Sequence, residues 1–543
     1  MQTMATTVRQ TNKTTGITYV YESVSYWDKA KQQSRAKRIC IGKVDPATGN
    51  VVPTRKTRPK TVMTDTTTKP GPVPIIQTAR FFGGATHLFD EIGRILGITA
   101  DLKLCFPDFY RQVLSIAYFL ILEDNNPLSR FPKWAALHKH PFGRDIPSQR
   151  SSELFAAITE EARTQFFERQ GKRRVEKEYW AYDITSISSY SSALAQVKYG
   201  LNKDHDQLAQ INLALLYGQE SGLPFYYRKL AGNIPDVKTV RNLLADLDYL
   251  GCQKIKLVMD RGFYSEENVN ALFQNHFKFI MATKLNLTYV KQELNKVRTT
   301  IRNWENYDQS YELYAQTSTV TWRYKQERPN IGDQVKQERR MYLHLYFNSE
   351  KAVEDEKKHN LLLIRLQQEL ESGKPLPEHD EDYKKYFEVT KTPVRGTKIT
   401  PKQDAIDEAK KNYGYFALIS NDIKDPIRAL EIYRNKDLVE KAFGNLKERL
   451  NLRRTLVSSE QSLDGKLFVE FIALIYLSYI KKKMQDANLF KKYTLQGLLD
   501  EFDVIECFEQ KGKNRRWGEM TKKQIELFSL MGVYPPSLHD SGF

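Results

Sequence analysis

The chain has 543 residues, 41% hydrophobic and 12% aromatic, which excludes global disorder and exceeds what one ordinary core accommodates. Lys and Arg outnumber Asp and Glu by 83 to 66, a formal net charge of +17, and residues 1–80 alone carry 14 basic against 4 acidic groups. A polyanion is the natural partner of such an excess, because each neutralised phosphate releases condensed counterions, although a merely solvated basic surface has the same composition. Four scattered cysteines without a Cys-x-x-Cys pair, and nine histidines that do not bracket them, argue against a disulfide scaffold or a structural zinc. The longest apolar runs, 113–122 and 471–480, are too short for a bilayer, and residues 1–10 lack the apolar stretch of a secretory signal. The expectation is a cytoplasmic protein with no membrane partner.

Taken in chain order, residues 18–24 (TYVYESV) and 36–44 (AKRICIGKV) read as β-strands, and 51–74, rich in Thr, Pro and Lys, as a linker. From 79 to 171 the apolar spacing is helical. Within it, 150–158 and the helix begun by Thr159-Glu160-Glu161 fit either a helix-turn-helix or two helices of a bundle. Then 179–187, 210–217 and 223–230 read as three strands, the last two as a hairpin. A helix follows from Asp236 to Leu250, capped by Asp236 and closed by Gly251. Residues 254–260 (KIKLVMD) form a strand buried on both faces, Ser265 caps a helix to Gln274, and 277–283 is a further strand. This β-β-β-α-β-α-β order is the one expected of a ribonuclease-H-like sheet. Between 284 and 413 the pattern changes to strands at 311–324 and 340–347, a charged helix at 351–370 and a loop at 372–401, which reads as an inserted subdomain. A strand at 414–420 and a helix opened by Asp425-Pro426 return the chain to the core pattern.

Three carboxylates stand out. Asp183 lies in an otherwise apolar strand, where an unpaired charge costs several kcal/mol. Asp260 ends a buried strand, at the end where polar chemistry collects in parallel sheets. Glu440 lies on a helix where, at about 100° per residue, Tyr433, Lys436, Glu440 and Lys447 share a polar stripe beside an apolar one made by Val439, Ala442, Phe443, Leu446 and Leu450. An all-oxygen set without His or Cys suits Mg2+ or Mn2+. Two such ions can activate a water or 3′-hydroxyl and stabilise the leaving oxygen at a phosphodiester. Singly, each acid has a plainer reading: a strand-edge surface acid, a turn former before Arg261-Gly262, or half of a helix-surface ion pair.

The spacing Tyr433-x2-Lys436-x3-Glu440-x6-Lys447 resembles the Tyr-Arg-Glu-Lys signature of bacterial insertion-sequence DDE transposases. Tyr182-Asp183-Ile184-Thr185 and Asp260-Arg261-Gly262-Phe263-Tyr264 resemble the segments around their first and second aspartates, and 223–236 a strand-to-helix passage of the same proteins. The likeness covers about residues 80–535. It implies a ribonuclease-H-like core with a mostly β insertion before the glutamate helix, and Asp183, Asp260 and Glu440 as catalytic metal ligands. Cleavage at terminal inverted repeats and joining of the 3′-ends to target DNA would follow, with double-stranded DNA as partner. A homodimer or higher assembly on DNA is implied, in a bacterial, nucleoid-associated setting. Tyr433, Lys436, Lys447 and Arg261 are the expected DNA contacts. The signature arginine is lysine at 436, which keeps the charge and loses the bidentate fork.

The expected class is thus α/β, a ribonuclease-H-like mixed-sheet core with an inserted, partly β subdomain, an N-terminal β-module and a helical DNA-binding region. The expected boundaries are 1–75 (basic β-module and linker), 76–175 (helical DNA-binding region), 176–290 (first part of the core), 291–412 (insertion), 413–480 (glutamate helix) and 481–543 (helical C-terminal region). The rivals are a nuclease of the same fold acting on branched nucleic acid, and a domesticated DNA-binding protein without catalysis. Three converging acids argue against the last.

Overall fold

A computed structural model describes residues 6–28, 32–54, 78–174, 178–191, 194–204, 206–252, 254–327, 334–392, 396–450, 452, 454–455, 457, 459–510, 515–537 and 539–540. Most of the 51–74 stretch read as a linker lies outside them. The chain divides into two compact units, Met1–Val73 and Pro74–Phe543.

The first unit is an antiparallel meander of Thr6–Thr11, Thr18–Asp28, Gln33–Val44 and the short Val51–Val52. β-branched and aromatic residues build these strands, but among the described residues of this unit only Val20, Ser23 and Gly42 are buried. Its basic side chains, including Arg9, Lys37, Arg38 and Lys43, stand in solvent.

The second unit is organised by one large mixed sheet. Its strands are β1 (Tyr179–Ser189), β2 (Gln210–Gly218) and β3 (Pro224–Ala231), then, after helix α1 (Asp236–Tyr249), β4 (Lys256–Met259). After α2 (Glu266–Gln274) come β5 (Lys278–Thr283), β6 (Leu313–Glu327), β7 (Gln334–Phe347) and β8 (Tyr415–Ser420). Helices α3 (Pro426–Arg434), α4 (Asp437–Gly444) and α5 (Glu460–Asp486) follow. Across the sheet the order is β3-β2-β1-β4-β5-β8-β7-β6, with Tyr307–Asp308 at the β6 edge. β4 lies parallel to β1 and to β5, the short Arg454–Thr455 pairs parallel with the end of β1, and the other neighbours are antiparallel. Helix connections explain the parallel pairs, since a parallel partner needs a crossover and a hairpin cannot supply one. Local signals set the helix ends as read: Ser265 Oγ accepts from Asn268 N–H (3.1 Å), Asp425 Oδ1 from Arg428 N–H (2.7 Å), and Gly251 takes φ +70°.

The stretch read as an insertion is built in two parts. β6 and β7 are laid onto the central sheet through β8, while Ser349–Glu371, Asp380–Tyr386, Gln403–Lys410 and the hairpin Phe387–Thr392/Gly396–Pro401 enclose a small core. Leu366, Tyr383, Tyr386, Phe387 and Ile406 fill that core. The expected loop at 372–401 is therefore partly ordered: its aromatic residues pack on the long helix, which a composition rich in Pro, Asp and Lys conceals.

The 79–171 region also departs from an all-helical reading. Thr78–Phe82 is a strand, because Glu506–Gln510, more than four hundred residues later, pairs with it. Arg515–Trp517 and His539–Asp540 complete that sheet, so the C-terminal region is not wholly helical. Helices Gly84–Ile95, Ile98–Cys105 and Tyr110–Leu122 pack around α5, which is apolar on all sides through its middle and correspondingly buried. Ser148–Ala156 and Glu160–Arg174 join the same core through Phe155, Phe166 and Phe167. Among the described residues no helix is long and apolar enough to cross a membrane.

Ser148–Ala156 crosses α5 at Gly465, where an added Cβ would lie 2.0 Å from the Phe155 carbonyl oxygen. Alanine ordinarily improves a helix interior by roughly 1 kcal/mol. Here the backbone must move, and Gly465→Ala is expected to cost about 1–3 kcal/mol by overpacking. Denaturant unfolding of the purified variant checks this; an unchanged or raised midpoint would show that the crossing is loose.

Candidate active site

Every residue of β1 is buried except Asp183, which keeps 19% of its side chain exposed. In the parallel pairing of β1 and β4, Tyr182 lies opposite Met259, so Asp183 and Asp260 follow as the next residues on adjacent strands. Neighbouring strands lie about 4.8 Å apart, so the sheet itself brings these two acids side by side.

Each carboxylate is held differently. Asp183 Oδ1 accepts from the Ile184 N–H (2.8 Å), and Lys203 Nζ lies 3.7 Å away. Burial pushes the Asp183 carboxyl above its ordinary value; the Lys203 and Lys436 charges and the Ile184 N–H oppose this without cancelling it. Asp260 caps the short turn Arg261–Phe263, and its Oδ1 accepts from the Arg261 N–H (2.7 Å) and the Tyr433 hydroxyl (2.6 Å). Burial would raise this carboxyl too, but the two donors, with Lys436 and Arg261, outweigh it and hold Asp260 below the usual carboxylate range. Burial and the Asp260 charge push the Tyr433 phenol well up, so it remains a donor.

Glu440 stands on α4, and Lys436 Nζ lies 3.2 Å from its Oε1. Burial disfavours the Lys436 ammonium, yet Asp260, Glu440 and Asp183 together raise it above its ordinary value. One cation thus feels all three acids. Glu440 is 57% exposed, and among the described residues no three His, Cys, Asp or Glu side chains close into a metal-ligating group. The strands bring Asp183 and Asp260 together; Lys436 links Glu440 to them.

The expected continuous helix from Tyr433 to Leu450 is interrupted. α3 ends at Arg434, and tight i to i+3 hydrogen bonds at Lys436 (to Tyr433, 3.2 Å), Leu438 (to Asn435, 3.2 Å) and Val439 (to Lys436, 2.9 Å) reset the chain before α4. Beyond α4, Asn445–Arg449 winds as a π-helix, which accommodates an extra residue per turn and shifts the 100° phase. Lys447 consequently leaves the Glu440 stripe and pairs with Asp204 (2.6 Å). Arg261 is exposed beside Asp260.

Two further polar residues stand beside Asp183, neither of them among the expected site residues. Lys203, in the loop between β1 and β2, lies 3.1 Å from Asp236 and donates to the Ile184 carbonyl (2.5 Å). Asp236 is not the helix cap expected of it. Pro235 occupies that position, and the Asp236 carboxylate faces Lys203. A polar loop residue has no periodic signature, so nothing short of the fold marks Lys203.

The donor set suits a hard divalent cation. It is all oxygen, and Asp183 remains under-compensated even with two ammonium groups near it, a deficit that a cation would relieve.

The model for the transposase DDE domain matches residues 181–476, more than half of the chain and a span enclosing all three acids. No curated protein sequence matches. Among solved structures, the chain is similar to the piggyBac transposase in a cryo-EM structure of its synaptic complex with hairpin DNA. The identity is 10% over 76% of this chain and 70% of that one, with a TM-score of 0.34, too distant a likeness to argue from. On the family match, the chain belongs to the transposase DDE domain family.

Proposed function

We propose that the protein is an insertion-sequence transposase that cleaves DNA at the element's terminal inverted repeats and joins the 3′-ends to target DNA. The observation that carries this reading is the side-by-side placement of Asp183 and Asp260 at the β1/β4 strand ends, with Glu440 linked to them through Lys436. The sheet order β3-β2-β1-β4-β5, with only β1, β4 and β5 mutually parallel, supports a ribonuclease-H-like core. The signature spacing from Tyr433 to Lys447 supports the bacterial insertion-sequence branch.

Members of the family act with divalent metal ions, generally Mg2+. Asp183 and Asp260 would hold such ions, with Glu440 completing the set once released from Lys436, in a two-ion arrangement. Bound there, the ions would lower the barrier to attack on a phosphodiester by activating the nucleophile and stabilising the leaving oxygen.

The chain's own residues do the rest. Tyr433 and the Arg261 N–H fix the orientation of Asp260 and keep it ionised. Lys203, bridging Asp183 and Asp236, fixes the β1–β2 loop against the site. Lys436, once freed from Glu440, is available to a phosphate of the transferred strand, as a point charge where the signature arginine would offer a fork. Lys447 and Arg261 are further candidates for the DNA backbone. Two element ends must be brought together, so the working form is a dimer or higher assembly on double-stranded DNA.

Cleavage of DNA flanking the gene should require Mg2+ or Mn2+ and should not require zinc, because the site offers no soft ligand. Activity abolished by EDTA and restored by Mg2+ is the expected result. Activity retained in EDTA, or restored only by zinc, would overturn the reading.

A further inference from the structure

Of the cavities that flank the central sheet, two are distinguished by their charges. The first, of about 270 Å³, lies against β3, and its cations are already matched: Arg163 and Lys229 to Asp464, Arg228 to Asp246. The second, of about 570 Å³, opens between α4 and α5. Its wall carries Lys441, Lys481 and Lys482 and neither Asp nor Glu.

Lys482 reaches Asp486 (3.0 Å), and Lys441 is exposed on α4. Lys481 is half-buried and donates to the neutral Asn445 side chain. Burial pushes its ammonium below the ordinary value and Arg449 pushes the same way; the pull of Glu448, larger than the push of Lys441, does not cancel them. The pocket therefore holds a surplus of positive charge that the lining itself does not meet. Phe490, 50% exposed, lines the same cavity and presents an aromatic face beside these cations.

The position is informative. The α4 side that lines the cavity carries Leu438, Lys441 and Ala442, whereas Lys436 and Glu440 meet on another side. A group bound in the cavity would sit about one helix diameter, roughly 10 Å, from the candidate active site.

We propose that this cavity binds two adjacent backbone phosphates of DNA, one at Lys441 and one at Lys481, and so holds a strand on the far side of the helix that carries Glu440. The proposal rests on the transposase reading. Ammonium groups and side-chain amides meet the phosphate oxygens, which gives a sequence-tolerant grip. An acidic peptide of a partner protein would use the same cations without the salt signature of DNA.

The test uses the full chain and a fluorescein-labelled duplex of the DNA flanking the gene, titrated by anisotropy over a series of salt concentrations. For Lys441→Met/Lys481→Met the slope of log K against log salt should shrink by about 1.8, at about 0.9 per lost phosphate contact. If the double variant melts early, Lys441→Met, exposed and outside the core, decides, with an expected change of about 0.9. Wild-type slopes in these lysine variants, with the wild-type chain binding and nicking the duplex, overturn the pocket alone and leave a peptide as its occupant. A wild-type chain that neither binds nor nicks the duplex overturns the transposase reading, and the pocket falls with it.

Discussion

Asp183→Asn and Asp260→Asn are each expected to lose DNA strand cleavage by about a thousandfold or more, some 4 kcal/mol of barrier, while binding the same duplex as wild type does. The amide is isosteric and preserves the local structure. In Asp260→Asn its carbonyl oxygen can still accept from Tyr433 and the Arg261 N–H, and in Asp183→Asn from the Ile184 N–H. What it removes is the negative charge that a divalent ion needs. On the proposed function, affinity for DNA would come from cations elsewhere, so binding and cleavage should separate. Glu440→Gln should behave likewise, although Glu440 is the most exposed of the three and is held by Lys436. Cleavage near the wild-type rate in any one of the three, measured with the same duplex that it binds, would remove that residue from the assignment.

The second large effect is on stability. Glu470 lies on α5 with none of its side chain exposed, and among the described residues neither carboxylate oxygen has a hydrogen-bond partner. Lys466 Nζ is 3.6 Å away, too far for a hydrogen bond. Burial pushes the Glu470 carboxyl from 4.5 up to about 7, against the pull of Lys466. A folded-state value above the unfolded one favours folding fully below pH 4.5, and that contribution is lost as pH rises through 7. Above pH 7 the fold must carry a buried charge or open. Glu470→Gln removes the ionisation and keeps the shape. It should therefore exceed wild type in unfolding free energy by about 3 kcal/mol at pH 8, and by less than about 1 kcal/mol at pH 5. Denaturant unfolding of both proteins at the two pH values tests this; a difference independent of pH would show that burial does not raise the Glu470 carboxyl above its unfolded value.

What the sequence makes legible here is mostly local or periodic. The Leu-Val-Met run before Asp260 marks a strand buried on both faces, and such a strand sits inside a parallel pairing, where its last residue meets the end of β1. Ser265, Asp425-Pro426 and Gly251 mark element ends because capping is a matter of a few neighbouring atoms. What escapes is set by distant partners. Thr78–Phe82 is a strand only because Glu506–Gln510 lies beside it, and β6 and β7 extend the central sheet only because β8 presents an edge. The tight turn before α4 and the π-helix after it escape for a different reason: a one-residue change of phase leaves the composition untouched but redirects every side chain beyond it, so Lys447 meets Asp204 and not the Glu440 stripe. Lys203 escapes because its role arises from where a loop lies.

The central claim is that Asp183, Asp260 and Glu440 form one cleavage site acting at element ends. Incubating the purified chain with Mg2+ and a duplex of the native flanking DNA, then mapping every broken strand, tests it most directly. Breaks should be confined to the element boundaries and leave 3′-hydroxyl ends that join to added target DNA, and the Asp183→Asn protein should give neither product. Breaks scattered without regard to the boundaries, or equal cleavage by the Asp183→Asn protein, would contradict it.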